Sequence, residues 1–199
     1  MGYEKSFITY AVSLHFTSDV NEIIFNTMSS IAELTGNDFM IKNKVPPHVT
    51  IGAFHGTKET EGRLIQIVKD FSEAQKSAGT KSSDNSNSRP AVHFTEVGNF
   101  NQKVLFLKPE KDEFLSSINE ELHKVILPEF EAGENGYYVP QIWFPHTTLA
   151  TGLNQTQYSK ALELASKITL PLEAKISDIG FYQCSPFLEL KRFPCFFLI

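Results

Sequence analysis

The chain has 199 residues, an apolar fraction of 41% that includes 17 phenylalanines, and a formal net charge of −5. That length fills the core of one large domain or two small lobes, and the acidic balance excludes broad binding along a nucleic-acid backbone, which needs many phosphates met by Lys and Arg. No apolar run reaches the roughly 18 residues of a membrane span, and the start, MGYEKSFITYAVSLHF, lacks the basic head and cleavage site of a signal peptide, so a cytoplasmic protein with no membrane partner is expected.

Met1, Gly2 and Ser6 fit the short myristoylation pattern, but Ser6 runs into the first predicted strand, and the lipid reading is set aside. Alternating apolar positions predict that strand from Phe7 to Phe16. The spacing then becomes helical over 18–36, with Val20, Ile23, Ile24, Met28, Ile31 and Leu34 as its stripe, Ser18 or Asp19 as cap and Gly36 as stop. A loop, KNKVPP, leads into a strand from His48 to Phe54, followed by a helix over about 59–76 with Leu64, Ile65, Val68 and Phe71 buried. Residues 78–90 are polar and rich in Ser and Asn, which predicts a flexible insertion.

Two strands are expected over 91–108, turning near Asn101 and Gln102. An amphipathic helix over 111–127 comes next and stops at Pro128. A strand from about Trp143 to Leu149, a helix over about 155–167 and two closing strands complete the order. Cys184 and Cys195 are too few for a disulfide scaffold and lack metal-type spacing, so both read as reduced and structural.

Two stretches in this order carry the same pattern. PPHVTIGAFHG and FPHTTLATG align Pro47, His48, Thr50 and Ile51 with Pro145, His146, Thr148 and Leu149. His-x-Thr by itself is weak, since His15, His55 and His93 also have a Thr two residues later. Only His48 and His146 have Pro before them and an apolar residue after the Thr. The segments downstream of the two stretches also repeat: TEVGNF then VLFLK, and SDIGFY then LELKRF, pairing Thr95 with Ser177, Glu96 with Asp178, Val97 with Ile179 and Gly98 with Gly180. The stretch from His48 to Gly98 exceeds that from His146 to Gly180 where the insertion falls.

On a strand, residues i and i+2 share a face, so each histidine projects beside its threonine. Two such strands facing one cleft bring two imidazoles and two hydroxyls to a tetrahedral phosphate. Hydroxyls would hold non-bridging oxygens while the imidazoles, with ordinary pKa values near 6.5, take and give protons.

These residues resemble the paired HxT/S motifs of the two-histidine (2H) phosphoesterase superfamily, which includes 2′,3′-cyclic phosphodiesterases and proteins named 2′-5′ RNA ligases. The resemblance covers nearly the whole chain. It implies metal-independent chemistry, without a cofactor, at a 2′,3′-cyclic or 2′-5′ phosphodiester of a nucleotide or RNA end. His48 and His146 would be the acid/base pair, in an order left open, and Thr50 and Thr148 the phosphate donors. Relatives of the RNA-ligase branch often carry Arg or Lys shortly after the second motif, where this chain has Thr151, so ligation and long RNA substrates are disfavoured; Lys42 or Lys44 could supply charge instead. The fold expected is α+β: one domain over 1–199, built of two pseudo-symmetric lobes of antiparallel-rich sheet with outer helices and a central cleft carrying both motifs.

His15 is a further candidate if the first strand lies beside a motif strand. Phe100, Tyr137, Tyr138, Trp143 and Tyr182 are candidates to stack on a base, with Trp143 and Tyr182 the substrate-binding candidates among them. A zinc site lacks the required spacing and a serine hydrolase lacks its G-x-S-x-G elbow. The remaining rival is a module that keeps the cleft to hold a phosphorylated ligand without turnover.

Overall fold

The computed structural model describes residues 7–79 and 90–194. Met1, Gly2, Ser6 and Cys195 lie outside them, as does the predicted insertion 78–90 apart from its flanks. The fold is α+β, with a seven-stranded antiparallel sheet and five helices among the described residues. No described helix is long and apolar enough to cross a membrane.

The first strand, β1 (Ile8–Phe16), leads into α1 (Ser18–Thr35), which buries Val20, Ile24, Met28 and Ile31. Ile23 and Leu34, expected in that stripe, are 46% and 49% exposed. They flank a contact face narrowed because α1 meets mainly α5 (Gln155–Ala165) and the second motif strand. Thr17 is the N-cap in place of Ser18 or Asp19, and its hydroxyl donates to Asp19 Oδ1 at 2.7 Å. Gly36 ends the helix at φ 71°, as expected. The KNKVPP region begins with a short helix, α2 (Phe39–Lys42), before β2 (His48–Gly56).

After α3 (Glu61–Gly79) come β3 (Ala91–Phe100), β4 (Val104–Pro109) and α4 (Glu113–Ile126), the last capped by Asp112, which accepts from the Leu115 N–H at 2.8 Å. The second motif strand, β5 (Thr147–Thr151), starts four residues later than Trp143. Trp143 instead closes a turn through its N–H to the Val139 carbonyl at 2.9 Å, and Pro145 has no N–H to give a ladder. β6 (Leu172–Gln183) and β7 (Leu188–Pro194) close the fold.

The strand order is β2-β1-β6-β3-β4-β5, with β7 paired to β6. From either end it reads motif strand, neighbour, then a strand with a glycine of the TEVG/SDIG match. Long β6 joins the halves: Leu172–Lys175 pair with β3, and Ile176–Gln183 pair with β1. One detail of the sequence repeat is corrected. β4 lies between its glycine strand and a motif strand, whereas the place corresponding to it on the other side belongs to β1, not to β7.

Both glycines have a steric reason. A Cβ on Gly98 would lie 2.4 Å from Phe106 Cε2; one on Gly180 would lie 2.4 Å from Tyr182 Cε2 and 2.5 Å from His15 Nε2. Each makes room for rings beside a motif strand.

The outer edge of β2 is satisfied by the segment returning toward β5. The His55 N–H donates to the Glu131 carbonyl at 2.9 Å and the Gly133 N–H to the Ala53 carbonyl at 2.8 Å. Farther along, buried Asn119 of α4 donates to the Ile51 carbonyl at 2.7 Å and the Tyr138 carbonyl at 2.9 Å. The Trp143 indole N–H donates to the Thr50 carbonyl at 3.1 Å, and the Thr147 hydroxyl to the His48 carbonyl at 2.8 Å. The two motifs, far apart in sequence, are thereby laced together.

Candidate active site

The two histidines are held by the same local device. His48 Nδ1 lies 2.7 Å from the Pro46 carbonyl oxygen and His146 Nδ1 lies 3.0 Å from that of Phe144. A carbonyl can only accept, so each neutral imidazole keeps its proton on Nδ1 and leaves Nε2 unprotonated. The intervening Pro47 or Pro145 fixes its own φ and keeps the preceding residue extended, which gives both approaches one geometry.

His48, Thr50, His146 and Thr148 line one cleft of about 850 Å³. The hydroxyls of Thr50 and Ser13 are 3.3 Å apart, because Thr50 faces Ser13 across the β1–β2 ladder. Across the β4–β5 ladder Thr148 faces Phe106.

Beyond the motifs the two sides part. His15 stands opposite His48 in register, with ring centroids 6.2 Å apart. It meets Tyr182, whose hydroxyl lies 2.8 Å from His15 Nε2, donates to Glu189 Oε2 at 2.9 Å and accepts from Arg192 Nη2 at 3.1 Å. With the phenol donating its one proton to Glu189, His15 donates from Nε2, and its buried Nδ1 is left without a hydrogen-bond partner among the described residues. Arg192 is also 3.3 Å from Asp178. His146 instead sits among rings: Phe100 meets it edge-on at 5.1 Å and Phe106 lies 5.3 Å away.

Burial holds both motif histidines below the ordinary histidine range. For His48 the Pro46 carbonyl opposes this, while the charges of His146 and Arg192 add to it; for His146 the Phe144 carbonyl opposes it. Burial drives His15 well below that range, assisted by Arg192 and His48. Burial, helped by the Glu134 charge, likewise pushes the Tyr138 phenol and the Cys184 thiol up to about 12.

Of the other candidates, Tyr182, Phe100, Tyr137 and Tyr138 line the cleft. His15 supports Tyr182 from behind and is 1% exposed. Two expectations are corrected. Trp143 is 3% exposed and packed in the core, so it offers no face to a base; its indole spends its one donor on the Thr50 carbonyl. Lys42 and Lys44 are exposed and do not line the cleft, because α2 turns Phe39 and Met40 toward it instead. Sequence reasoning missed Ser13, Glu134 and Arg192. Ser13 could have been found, since it lies two residues from His15 on one strand face; nothing near Glu134 or Arg192 marked them.

A family model described as the 2′-5′ RNA ligase superfamily matches residues 27–184. The chain belongs to that superfamily. A 2H phosphoesterase-type activity on a nucleotide or RNA goes with membership of the 2′-5′ RNA ligase superfamily. Among solved structures 23 chains match. One, the crystal structure of E. coli LigT in apo form, is 12% identical at a TM-score of 0.51, covering 96% of this chain and 99% of that one. At that identity the likeness concerns the fold. No curated protein sequence matches the chain.

Proposed function

We propose that this chain is a phosphodiesterase that hydrolyses a 2′,3′-cyclic or 2′-5′ phosphodiester of a nucleotide or RNA end. The observation that carries the reading is the matched Nδ1-to-carbonyl clamp of His48 and His146, which leaves Nε2 unprotonated on two histidines that line one cleft with two threonines. One imidazole takes a proton from water as its oxygen bonds to phosphorus. The other, protonated, gives its proton to the ribose oxygen as that P–O bond breaks. The products are a phosphomonoester and a free hydroxyl for the cyclic substrate. Thr50 and Thr148 donate to the non-bridging oxygens, where negative charge accumulates. The imidazole pair supplies both proton transfers, so no metal step enters the scheme.

The test is hydrolysis of a 2′,3′-cyclic mononucleotide and a 2′-5′ dinucleotide in excess EDTA from pH 5 to 9, with wild type, His48→Ala and His146→Ala. Turnover lost in both variants is expected. Because both imidazoles are depressed by burial and the active form has one neutral and one protonated, kcat/KM should peak below about pH 6.5. Activity surviving in both variants would remove these histidines from the mechanism. Tight binding without turnover in the wild type would identify a phosphate-binding module instead.

A further inference from the structure

The cleft has one more feature that the histidine chemistry does not use. Among the described residues lining it there is no Lys or Arg, and its single carboxylate is Glu134. Lys108 and Lys111 border a separate depression that shares Phe144 with the cleft, and both are engaged: Lys108 Nζ is 2.7 Å from Glu96 Oε1, and Lys111 Nζ donates to the Trp143 carbonyl at 3.2 Å. Arg192 reaches the site through Tyr182 and is paired with Glu189 and Asp178.

Glu134 is held where it stands. The backbone bonds of Glu131 and Gly133 to β2 pin the preceding residues to that strand, and a Cβ on Gly133 would lie 3.0 Å from Thr9 Cγ2 and 3.1 Å from the Phe54 nitrogen. The chain then turns through Glu134 and Asn135 at φ 48° and 53°, a conformation non-glycine residues adopt at a cost. Gly133 bonds at the level of Ala53, five residues along β2 from His48, or about 17 Å of extended strand. Cys184, whose N–H donates to the Thr9 carbonyl at this end of the cleft, and Tyr138, whose phenol reaches back to Thr50, both feel the Glu134 charge.

We propose that Glu134 is the specificity-determining residue of the cleft: it accepts a substrate with one phosphodiester at the histidines and an uncharged, hydrogen-bond-donating nucleoside at the Glu134 end, and it turns away a second phosphate. This rests on the phosphodiesterase reading. A ribose hydroxyl or base N–H gains a charge-assisted bond from the carboxylate. A second phosphate meets like charge in a half-enclosed site with no cation among its described lining residues, a repulsion that ordinary salt screens incompletely. The aromatic lining, Phe100, Tyr137 and Tyr138 among it, suits the flat face of a base and does nothing for a second anion.

The experiment compares kcat/KM for adenosine 2′,3′-cyclic phosphate with that for its 5′-phosphorylated counterpart, and for a 2′-5′ adenylyl dinucleotide with and without a 5′-phosphate. The readout is the ratio within each pair. The wild type should favour the form without the extra phosphate by about 10-fold or more, and 0.5 M salt should shrink that preference. Glu134→Gln, and Glu134→Asn, which tolerates positive φ, should both bring the ratio to within about threefold of one, with melting curves confirming the fold. Equal wild-type turnover within each pair, or a ratio unmoved in both variants, overturns the assignment while leaving the phosphodiesterase reading intact. Turnover of none of the four compounds overturns that reading and this inference together.

Discussion

Beside His48 the neighbouring strands are polar. Ser13 faces Thr50, His15 faces His48, and Tyr182, Glu189, Arg192 and Asp178 continue the chain of polar contacts. Beside His146 they are aromatic, with Phe106 facing Thr148 and Phe100 and Phe144 closing over the imidazole. The clamp on each imidazole is nonetheless the same, a carbonyl two residues before the histidine, although His48 opens β2 and His146 lies one residue before β5. A Pro-His-x-Thr strand therefore positions its own imidazole and hydroxyl by backbone alone. The neighbours are free to differ and to set how basic the imidazole is and how replaceable the hydroxyl.

The strongest way to test the shared half of this comparison is to remove each imidazole. His48→Ala and His146→Ala should each lower kcat/KM by about 10³-fold on the substrate that the wild type turns over, the scale expected of general acid/base groups. A loss confined to one variant would make the motifs equivalent in shape only. The threonines should then expose the difference. Thr148→Val, with Phe106 opposite, has no hydroxyl across the ladder to replace it and should lose about 10²-fold. Thr50→Val leaves the Ser13 hydroxyl, 3.3 Å away in the wild type, to recover part of the contact, and should lose several-fold less. Steady-state kinetics on the two single variants and on Ser13→Ala/Thr50→Val reads this directly: the double variant should fall to the level of Thr148→Val.

A smaller effect concerns the two glycines. Gly180→Ala drives a methyl against Tyr182 and His15, both buried and hydrogen-bonded, and should cost about 2–3 kcal/mol in a denaturant titration. At Gly98→Ala the three atoms nearest the new methyl all belong to Phe106, whose neighbour Phe100 is 38% exposed and can move, so it should cost less.

These glycines mark how far the sequence could be read. Their alignment within TEVG and SDIG was visible, as were the strands and helices, because period-2 and period-3.6 patterns are local. That the four candidate residues would share a cleft was also legible, since one sequence held the motif twice in matching contexts. Which elements would lie side by side was not. Trp143 looked like a stacking ring until the approach to β5 turned it inward, and β7 looked like the counterpart of β4 because chain order cannot reveal that β1 fills that place. Lys42 and Lys44 stood close to His48 in sequence, but both are exposed, Lys42 at the end of α2 and Lys44 in the turn that follows it at φ 53°. Arg192 and Glu134 came near the site only through pairings across the sheet, for which no local pattern exists.

Arg192 supplies the finest test of the comparison. Its charge is one of the causes that hold His48 below the ordinary histidine range, and it is not among the causes acting on His146. A nearby positive charge disfavours the imidazolium, so Arg192→Met should raise the pKa of His48 and leave that of His146 nearly in place. In a bell-shaped profile of kcat/KM, the acid limb reports the group that must be unprotonated and the alkaline limb the group that must be protonated. If His48 is the base, the acid limb moves to higher pH in the variant; if it is the acid, the alkaline limb does. The variant therefore assigns the two roles as well as testing the asymmetry. Movement of both limbs together would show that the two imidazoles titrate as a coupled pair, with the neighbouring strands setting a property of the pair and not of either histidine.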